Sequence, residues 1–290
     1  MLNWKHSVKS RESYCSQRSL TMKLLFTDLD GTLLSRNKKI SSENLEAISR
    51  ASRQGNITVI STGRSLSSAR PYIEELASVQ KQCYAVTYNG GLIYDCTARK
   101  VIYKKTIPLP YVKYIFGQAE KFHIHCQTYE DGYVLASKDS EELREYASHT
   151  SMPVRVLPDP AAALTKEPFK VLTSCLHDKE LHQAYRRSLE EWAKDKISLF
   201  FSSKYYLEHV PLGVSKGNAV RMLCQILDVP LENTYAAGDA ENDIAMLKAV
   251  RQGIAMANGT EEVKKAADHV TKSDNDHGGI AEIIKNFIEN

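Results

Sequence analysis

The feature that most constrains this chain is a short apolar strand that runs directly into two carboxylates. Leu24-Leu25-Phe26 predicts a buried strand, and Asp28-Leu29-Asp30-Gly31-Thr32 follows it. Two acids one residue apart repel each other at neutral pH, so stability alone gives little reason to place them at the end of a core strand. A bound Mg²⁺ would remove that repulsion, because it prefers hard oxygen ligands. An ordinary acidic turn is the alternative interpretation of these residues taken alone.

A second acidic turn far downstream repeats this pattern. Tyr235-Ala236-Ala237-Gly238-Asp239 predicts a strand that ends in a carboxylate, and Asp243 follows four residues later. Asp239 would lie at the strand end, and Asp243 would lie one turn into the next helix. Open α/β sheets bind ligands at the carboxyl ends of their strands. Two parallel strands could therefore bring Asp28, Asp30 and Asp239 to one edge of a sheet.

Strand and helix signals alternate on either side of a central insertion. Strands separated by helices are typical of a doubly wound, Rossmann-like parallel sheet, so the fold class is expected to be α/β. The predicted elements are a helix from Ser41 or Ser42 to Gly55, a strand Ile57–Ser61, a helix from about Ser67 to Leu76, a strand Tyr84–Tyr88 and a helix Gly217–Leu227.

The pattern of strand and helix signals changes between about Thr106 and Tyr206, which predicts an inserted α+β domain. The expected division is a core domain formed by 22–106 and 206–290 and an inserted domain at 107–205. Its predicted elements are a helix ending at Phe122, a hairpin of Ile124–Tyr129 and Tyr133–Ser137, a helix Glu141–His149, a strand Phe169–Leu176, a helix Lys179–Ala193, and strands Ser198–Ser202 and Tyr205–Val210.

Residues 1–21 differ from the rest of the chain, because they are rich in Ser, Lys and Arg and poor in acids. They lack the apolar middle of a secretory signal. The composition allows a transit peptide, but a flexible tail, or a start assigned too early with Met22 as the true beginning, is the expected explanation.

Composition excludes several classes of function. Apolar residues make up 42% and charged residues 25% of the sequence, as in soluble globular proteins. No apolar run reaches the length of about 18 residues that indicates a membrane span. The formal net charge is +3, and the first 22 residues account for all of it. The balanced remainder lacks a net basic face, so neither nucleic acid nor a membrane is an expected partner.

The six cysteines are scattered and form no C-x-x-C pair. Free thiols in a reducing cytoplasm fit this spacing better than a disulfide framework, so a cytoplasmic location is expected. His123-Ile124-His125-Cys126 alternates like a strand, and nothing nearby completes a ligand set. A zinc site is therefore not expected there.

Four motifs occur in a fixed order along the chain. They are Asp28-Leu29-Asp30-Gly31-Thr32, Ser61-Thr62-Gly63-Arg64, Ser215-Lys216-Gly217 and Gly238-Asp239-Ala240-Glu241-Asn242-Asp243. With these motifs, residues 22–290 resemble the haloacid dehalogenase-type phosphohydrolases. The closest resemblance is to the Cof-type group, which carries a large α/β cap of the C2B type after the third strand. Asn89-Gly90-Gly91 also resembles a turn common in that group.

The resemblance implies catalytic roles for the first two acids. Asp28 would be the nucleophile that forms an aspartyl-phosphate, which splits one hard displacement into two easier steps. Asp30 would protonate the leaving oxygen and then accept a proton from water. The alternatives are that Asp28 is only a metal ligand that positions water, and that Asp30 is a carboxylate that holds the turn.

Further residues are expected to bind phosphate and metal. A lysine at a helix start opposes the helix dipole, so a charge directed at phosphate and Asp28 explains Lys216 better than helix stability does. A solvated surface lysine is the alternative, and for Asp243 the alternative is a first-turn helix acid. Arg64 could be structural or could face the substrate. The resemblance assigns phosphate binding to Leu29, Thr62, Gly63, Lys216 and Asn242, and Mg²⁺ binding to Asp28, Asp30, Asp239 and Asp243.

The expected activity is Mg²⁺-dependent hydrolysis of a small phosphate monoester, such as a sugar phosphate, a nucleotide-derived phosphate or a cofactor-precursor phosphate. A cap would exclude solvent and contact the rest of the substrate. Candidate contacts there are Tyr129, Arg155, Lys204 and Tyr206. Two alternatives stay open: a phosphomutase or phosphotransferase on the same core, and a regulatory or binding protein with little turnover. The sequence does not give the oligomeric state.

Overall fold

A computed structural model describes residues 22–130 and 132–289 of the chain. The predicted tail, residues 1–21, lies outside the described residues. The strands are β1 Leu24–Thr27, β2 Ile57–Ser61, β3 Tyr84–Thr87, β4 Leu92–Asp95, β5 Lys100–Lys104, β6 His125–Glu130, β7 Tyr133–Ala136, β8 Val154–Val156, β9 Val171–Ser174, β10 Ile197–Phe201, β11 Tyr206–Pro211, β12 Thr234–Gly238, β13 Gln252–Ala255 and β14 His269–Val270.

Helices connect these strands along the described chain. The α-helices are α1 Ser42–Arg53, α2 Leu66–Val79, α3 Leu109–Lys121, α4 Glu141–Thr150, α5 Pro160–Ala163, α6 Lys179–Ala193, α7 Lys216–Leu227, α8 Ile244–Leu247, α9 Glu261–Ala266 and α10 Gly279–Ile283. Short 3₁₀ turns occur at Tyr88–Gly90, Leu231–Asn233 and Glu241–Asp243, and a π-helical turn at Ile284–Ile288 follows α10. No helix in the described ranges is long and apolar enough to cross a membrane.

The core sheet has eight strands in the order β14-β13-β12-β1-β2-β3-β4-β5. The strands from β14 to β3 are mutually parallel, and β4 and β5 extend that sheet as an antiparallel hairpin. The predicted doubly wound α/β fold is therefore confirmed. Because β1 lies between β12 and β2, the carboxyl ends of these three strands meet at the centre of one edge.

Apolar side chains cover both faces of the core sheet. One layer includes Ile48 of α1, Ile73 of α2 and Ile283 of α10. The other includes Val220 of α7 and Val263 of α9. The parallel part of this sheet is covered on both faces because its crossover helices lie on either side of it.

Serine caps fix where two of the helices begin. Ser41 accepts a hydrogen bond from the Asn44 backbone at the start of α1, as its sequence predicts. Ser215 accepts one from the Asn218 backbone and so starts α7 at Lys216. The capping serine therefore places the Lys216 side chain in the first turn of α7, next to the edge of the sheet.

A second, six-stranded sheet forms the inserted cap, in the order β10-β11-β9-β6-β7-β8. Helices α3 and α6 pack on one of its faces around Ile115 and Tyr185, and α4 packs near Tyr146 on the opposite face. The predicted return to the core at residue 206 comes too early. Tyr206–Pro211 is β11 and pairs with both β9 and β10, so the cap sheet includes it.

The chain crosses between core and cap at two neighbouring segments. The first follows β5 and the second follows β11. The Lys105 Nζ donates to the Leu212 carbonyl at 2.7 Å and so joins the two crossings directly. A further bond, from the Ile107 backbone N–H to the Pro168 carbonyl at 2.8 Å, anchors the first crossing to the cap.

Candidate active site

Three adjacent strands of the core sheet deliver the predicted site residues to one edge. Asp28 follows β1, Thr62 follows β2 and Asp239 follows β12. The register pairs Thr27 directly with Ala237, so the two acidic turns leave the sheet side by side. Both acidic turns therefore lie together at the carboxyl edge of the sheet.

Lys216 lies beneath this edge and joins two of the acids. Its Nζ donates to Asp28 Oδ1 at 2.5 Å and to Asp243 Oδ1 at 2.6 Å, and the side chain is fully buried. Burial by itself would lower the pKa of Lys216, but the carboxylates of Asp243 and Asp28 outweigh it and raise the pKa. The alternative of a solvated surface lysine is wrong, because the ammonium is enclosed by its carboxylate partners.

The three acids Asp28, Asp239 and Asp243 offer carboxylate oxygens that all lie within 4.8 Å of one another. Burial and then the neighbouring Asp243 raise the pKa of Asp239 to about 7. Burial also raises the pKa of Asp28, although Lys216 opposes that shift. Both pKa values are raised because burial leaves more negative charge here than the positive charge around it offsets, and a divalent cation would supply the missing positive charge. The donor set, made of hard oxygens alone, fits Mg²⁺.

Gly31 and Thr32 hold the Asp239 carboxylate in this cluster. Thr32 Oγ1 donates to Asp239 Oδ1 at 2.9 Å. Gly31 has a φ of +78°, and a Cβ there would overlap the Asp239 carboxylate. The glycine is therefore required both by the backbone conformation and by the close approach of the acid.

Asp243 uses both of its oxygens within the protein. Oδ1 accepts from Lys216, and Oδ2 accepts from the backbone N–H groups of Asp239 at 3.0 Å and Ala240 at 3.1 Å. The residue is fully buried and lies in a 3₁₀ turn before α8, not one turn into a regular helix as its spacing predicts. Asp243 therefore orients Lys216 and the Asp239 turn at once.

Asp30 is held by two cations at the mouth of the site. Arg64 binds it with two hydrogen bonds, from Nε at 2.6 Å and from Nη2 at 2.7 Å, and Lys38 Nζ donates at 2.6 Å. Burial by itself would raise the pKa of Asp30, but Arg64 and Lys38 lower it to about 2. The sequence leaves open whether Arg64 is structural or faces the substrate. In this structure its guanidinium faces Asp30.

The predicted phosphate contacts lie around the same edge. Thr62, Gly63 and Asn242 line the cavity above the acids. The Thr62 hydroxyl accepts a hydrogen bond from the Arg64 backbone at 3.1 Å, which fixes the turn. The Leu29 side chain is fully buried, so only its backbone could reach a phosphate.

Core and cap together enclose a cavity of about 410 Å³ above the acids. Of the four predicted cap contacts, Tyr206 lines it. Arg155 instead lies over the Tyr133 ring at 3.6 Å, and Lys204 lies near the Tyr205 ring. The lining residues are Asp28, Asp30, Lys38, Thr62, Gly63, Arg64, Glu145, Tyr146, His149, Thr150, Lys170, Leu172, Ser202, Ser203, Tyr205, Tyr206, Glu208, Ala240 and Asn242.

Sequence reasoning missed four charged residues that line this cavity, namely Lys38, Glu145, Lys170 and Glu208. Lys170 and Glu208 carry a recognisable signal, because each is a charged residue within an otherwise apolar strand segment. Lys38 carries none, since it lies in a polar loop whose path the sequence does not fix.

Known proteins resemble this chain over most of its described length. A family profile described as haloacid dehalogenase-like hydrolase matches residues 25–284. A Streptococcus pyogenes serotype M6 protein, named provisionally as a phosphatase, is 32% identical over 278 residues, which cover 93% of this chain and 100% of the relative. A Bacillus subtilis 5-amino-6-(5-phospho-D-ribitylamino)uracil phosphatase is 28% identical over 291 residues, covering 92% of this chain and 98% of the relative. The crystal structure of a haloacid dehalogenase-like hydrolase from Bacteroides thetaiotaomicron has a TM-score of 0.82 at 31% identity, covering 91% of this chain and 98% of that one.

Proposed function

The chain belongs to the haloacid dehalogenase-like hydrolase family and is a phosphatase, and we propose that it is a Mg²⁺-dependent phosphomonoesterase that uses an aspartyl-phosphate. The substrate would be a small organic phosphate with a single ester bond to phosphorus. A cytoplasmic location is part of the same proposal, because each cysteine in the described ranges is a free thiol.

One observation carries the proposal: the buried Lys216 ammonium bonds to Asp28 at the floor of the cavity. A carboxylate that attacks a phosphate dianion must overcome the repulsion between two negative groups. Lys216 offsets part of that repulsion and keeps one oxygen of Asp28 fixed, which leaves the other oxygen for attack. The burial of this pair has no evident value for stability, since buried ion pairs often gain nothing over apolar residues.

Asp30 would then serve both proton transfers. In the state described here its carboxylate is ionised and bound by Arg64 and Lys38. A substrate phosphate that attracts these two cations would release Asp30 to hold a proton and pass it to the leaving oxygen. Once the leaving group has departed, the same carboxylate would accept a proton from the water that attacks the aspartyl-phosphate.

The acid cluster would hold the metal. The Asp28 and Asp239 side chains and the Asp30 backbone carbonyl are the proposed ligands, with Asp243 in a positioning role because both of its oxygens are engaged. A bound Mg²⁺ would supply positive charge that stabilises the phosphoryl group in the transition state. Thr62, Gly63, Asn242 and the Leu29 backbone would bind the phosphate oxygens.

The substrate class is supported by the relatives and by the size of the cavity. The Bacillus subtilis relative is named for a ribitylaminouracil phosphate, a precursor-type small molecule. A cavity of about 410 Å³ accommodates a ligand of that size. We therefore propose a sugar phosphate, a nucleotide-derived phosphate or a cofactor-precursor phosphate as the substrate.

A phosphomutase or phosphotransferase would pass the phosphoryl group from Asp28 to a sugar hydroxyl instead of water. The motif Ser61-Thr62-Gly63-Arg64 disfavours that alternative, because phosphomannomutases that resemble this core usually carry a different second motif. A regulatory protein without turnover is disfavoured by the paired Lys216 and Asp28, which a binding role does not need.

The proposal is tested by phosphate release from a panel of metabolite phosphates, with Mg²⁺ and with EDTA. Asp28→Asn should lower kcat by at least about 10³-fold, because a neutral amide cannot form the aspartyl-phosphate. The matched control is Asp195→Asn, an acid on the surface of the cap that pairs with Lys196.

Three results would contradict the proposal: full activity in EDTA, undiminished hydrolysis by Asp28→Asn, or turnover that requires a bisphosphate activator. The last of these would favour the mutase. Thermal melting of each variant separates loss of activity from loss of folding.

A further inference from the structure

The cap sheet turns one face toward helices α3 and α6 and the other toward α4 and the cavity. Side chains alternate along each strand, so Leu207 and His209 of β11 face the helix layer and Glu208 faces the opposite way. On the neighbouring strand β9, Leu172 lies directly opposite Glu208 and shares its face. The cavity roof is therefore one regular face of the cap sheet, and Glu208 lies in it by register.

Glu208 and Lys170 form a buried ion pair in this roof. Lys170 Nζ lies 3.1 Å from Glu208 Oε2 and 3.3 Å from Oε1, and the two side chains are 2% and 4% exposed. Ser202 Oγ also donates to Oε1 at 2.9 Å. Oε2 is in ionic contact with Lys170 but accepts no aligned hydrogen bond within the described ranges. This buried oxygen at the cavity wall therefore keeps the capacity to accept a hydrogen bond.

Lys170 also bonds to the core. Its Nζ donates at 3.0 Å to the carbonyl of Gly63, in the turn proposed to bind phosphate. Burial by itself would lower the pKa of Lys170, but Glu208 outweighs it and raises the pKa. The lysine is therefore charged, and its charge is already matched by Glu208 and the Gly63 carbonyl.

The charges on the cap side of the cavity do not favour an anion. Among the described residues that line it from the cap, Lys170 is paired with Glu208, Glu145 adds a second acid, and His149 is bonded to Glu145. The compensated lysine leaves no cation there for a second phosphate or a carboxylate. Groups that donate hydrogen bonds without negative charge would fit Glu208 Oε2, which still lacks an aligned donor among the described residues.

We propose that Glu208, held by Lys170 and Ser202, selects the leaving group of the substrate. It favours leaving groups that carry hydroxyl or N–H donors and rejects those that carry an additional anionic group. This inference rests on the proposed function and assigns the selective residue within it. Stability does not explain the pair, because a buried ion pair is often replaceable by apolar residues at no cost.

The test compares kcat/KM for a hexose monophosphate, the matching hexose bisphosphate and p-nitrophenyl phosphate, all with Mg²⁺. We expect the wild-type protein to prefer the monophosphate over the bisphosphate by at least about tenfold, since the Glu208 and Glu145 carboxylates would repel the second phosphate. Glu208→Gln should reduce that ratio at least about tenfold, because the amide loses the repulsion and leaves Lys170 uncompensated.

The same variant should lose more activity toward the hexose monophosphate than toward p-nitrophenyl phosphate, whose leaving group carries no donor. The double variant Lys170→Met/Glu208→Met should also lose the monophosphate preference. It removes both charges together and so avoids an unpaired buried lysine. The control Glu191→Gln neutralises an exposed acid of α6 and should leave all three values unchanged.

Two outcomes overturn the inference alone: an unchanged ratio in a folded Glu208→Gln protein, or an equal loss toward all three substrates. The second would mean that the pair only closes the cap. An absence of turnover by the wild-type protein on every substrate, p-nitrophenyl phosphate included, would overturn the proposed function as well.

Discussion

At the scale of single residues, the site depends on close approaches that only glycine permits. Gly31 shows this most clearly, because its positive φ and its contact with Asp239 act at the same position. The acid that would hold the metal therefore packs directly against the turn that carries Asp28 and Asp30. A side chain at residue 31 would push Asp239 out of the cluster.

Gly31→Ala should raise the Mg²⁺ concentration that gives half-maximal activity about 10–100-fold, the usual effect of disturbing groups that orient metal ligands. Titration of activity with Mg²⁺ measures this. Gly55→Ala is the matched control, because Gly55 also has a positive φ (+94°) but has open space where a Cβ would lie. Both variants should lose about 1–3 kcal/mol of stability through backbone strain. An equal Mg²⁺ response in the two proteins would contradict the prediction.

The sequence predicts which residues form the site better than it predicts their partners. The four motifs name Asp28, Lys216 and Asp239, because each motif follows a strand or starts a helix. Arg64 and Lys38 meet at Asp30 from separate loops. No spacing rule links loop residues across the chain, so that three-residue contact could not be predicted.

At the scale of elements, the cap sheet contains a histidine that must stay neutral. His209 of β11 is fully buried, its Nδ1 donates to the Val171 carbonyl at 3.2 Å, and its Nε2 accepts from the Tyr185 hydroxyl at 3.1 Å. Burial lowers its pKa to about 3. His182, packed nearby on α6, has its pKa lowered to about 4 by burial.

These two histidines should make the cap less stable in acid. In the unfolded chain each histidine binds a proton near pH 6.5, but in the folded chain only near pH 3–4. The free energy of unfolding is therefore not reduced by these groups above about pH 6.5, and it falls as the pH drops below that value. Each should contribute a loss of up to about 1.4 kcal/mol per pH unit in that window. Urea unfolding at pH 7.5, 6.0 and 5.0, followed by Trp192 fluorescence, measures it.

His209→Gln removes one of the two titrating groups. Its unfolding free energy should change less between pH 7.5 and 5.0 than that of the wild-type protein. Identical slopes in the two proteins would show that His209 does not cause the acid sensitivity, and the prediction would be wrong.

Some helices and strands could be predicted from the sequence, and others could not. Ile57–Ser61 and Lys179–Ala193 have the predicted bounds, because β-branched runs and capped amphipathic segments are strong local signals. The hairpin of β4 and β5 was missed, although β5 has the β-branched and aromatic centre Val101-Ile102-Tyr103 between two lysines. The two-residue strand β14 is too short to show any periodicity, and β8, with three residues, is little better.

At the scale of the whole molecule, core and cap meet through a ring stack next to the site. Tyr88, after β3, stacks on Phe169 of the cap with ring centroids 4.5 Å apart. Ser68 Oγ donates to the Thr150 carbonyl at 3.1 Å and adds a polar contact between the two domains. These contacts hold the cap over the acids in the state described.

Phe169→Ala should weaken closure of the cap without disturbing either domain core. Aromatic pairs contribute about 0.5–1.5 kcal/mol beyond their buried area, so KM should rise about threefold to tenfold. Steady-state kinetics on the best substrate of the panel measures this.

Tyr114→Ala is the matched control. It removes a ring that stacks on Trp192 at 4.2 Å, within the cap and away from the core. An equal KM in Phe169→Ala and the wild-type protein, or an equal rise in both variants, would contradict a specific role of the Tyr88–Phe169 contact.

The bond between Lys105 and Leu212 has a consequence for the rate of turnover. Because the two chain crossings lie side by side, we expect the cap to rotate as a unit about them. Such a rotation would open the cavity and let inorganic phosphate leave the acids. Thickening the solvent with sucrose should therefore lower the maximal rate when release is the slow step.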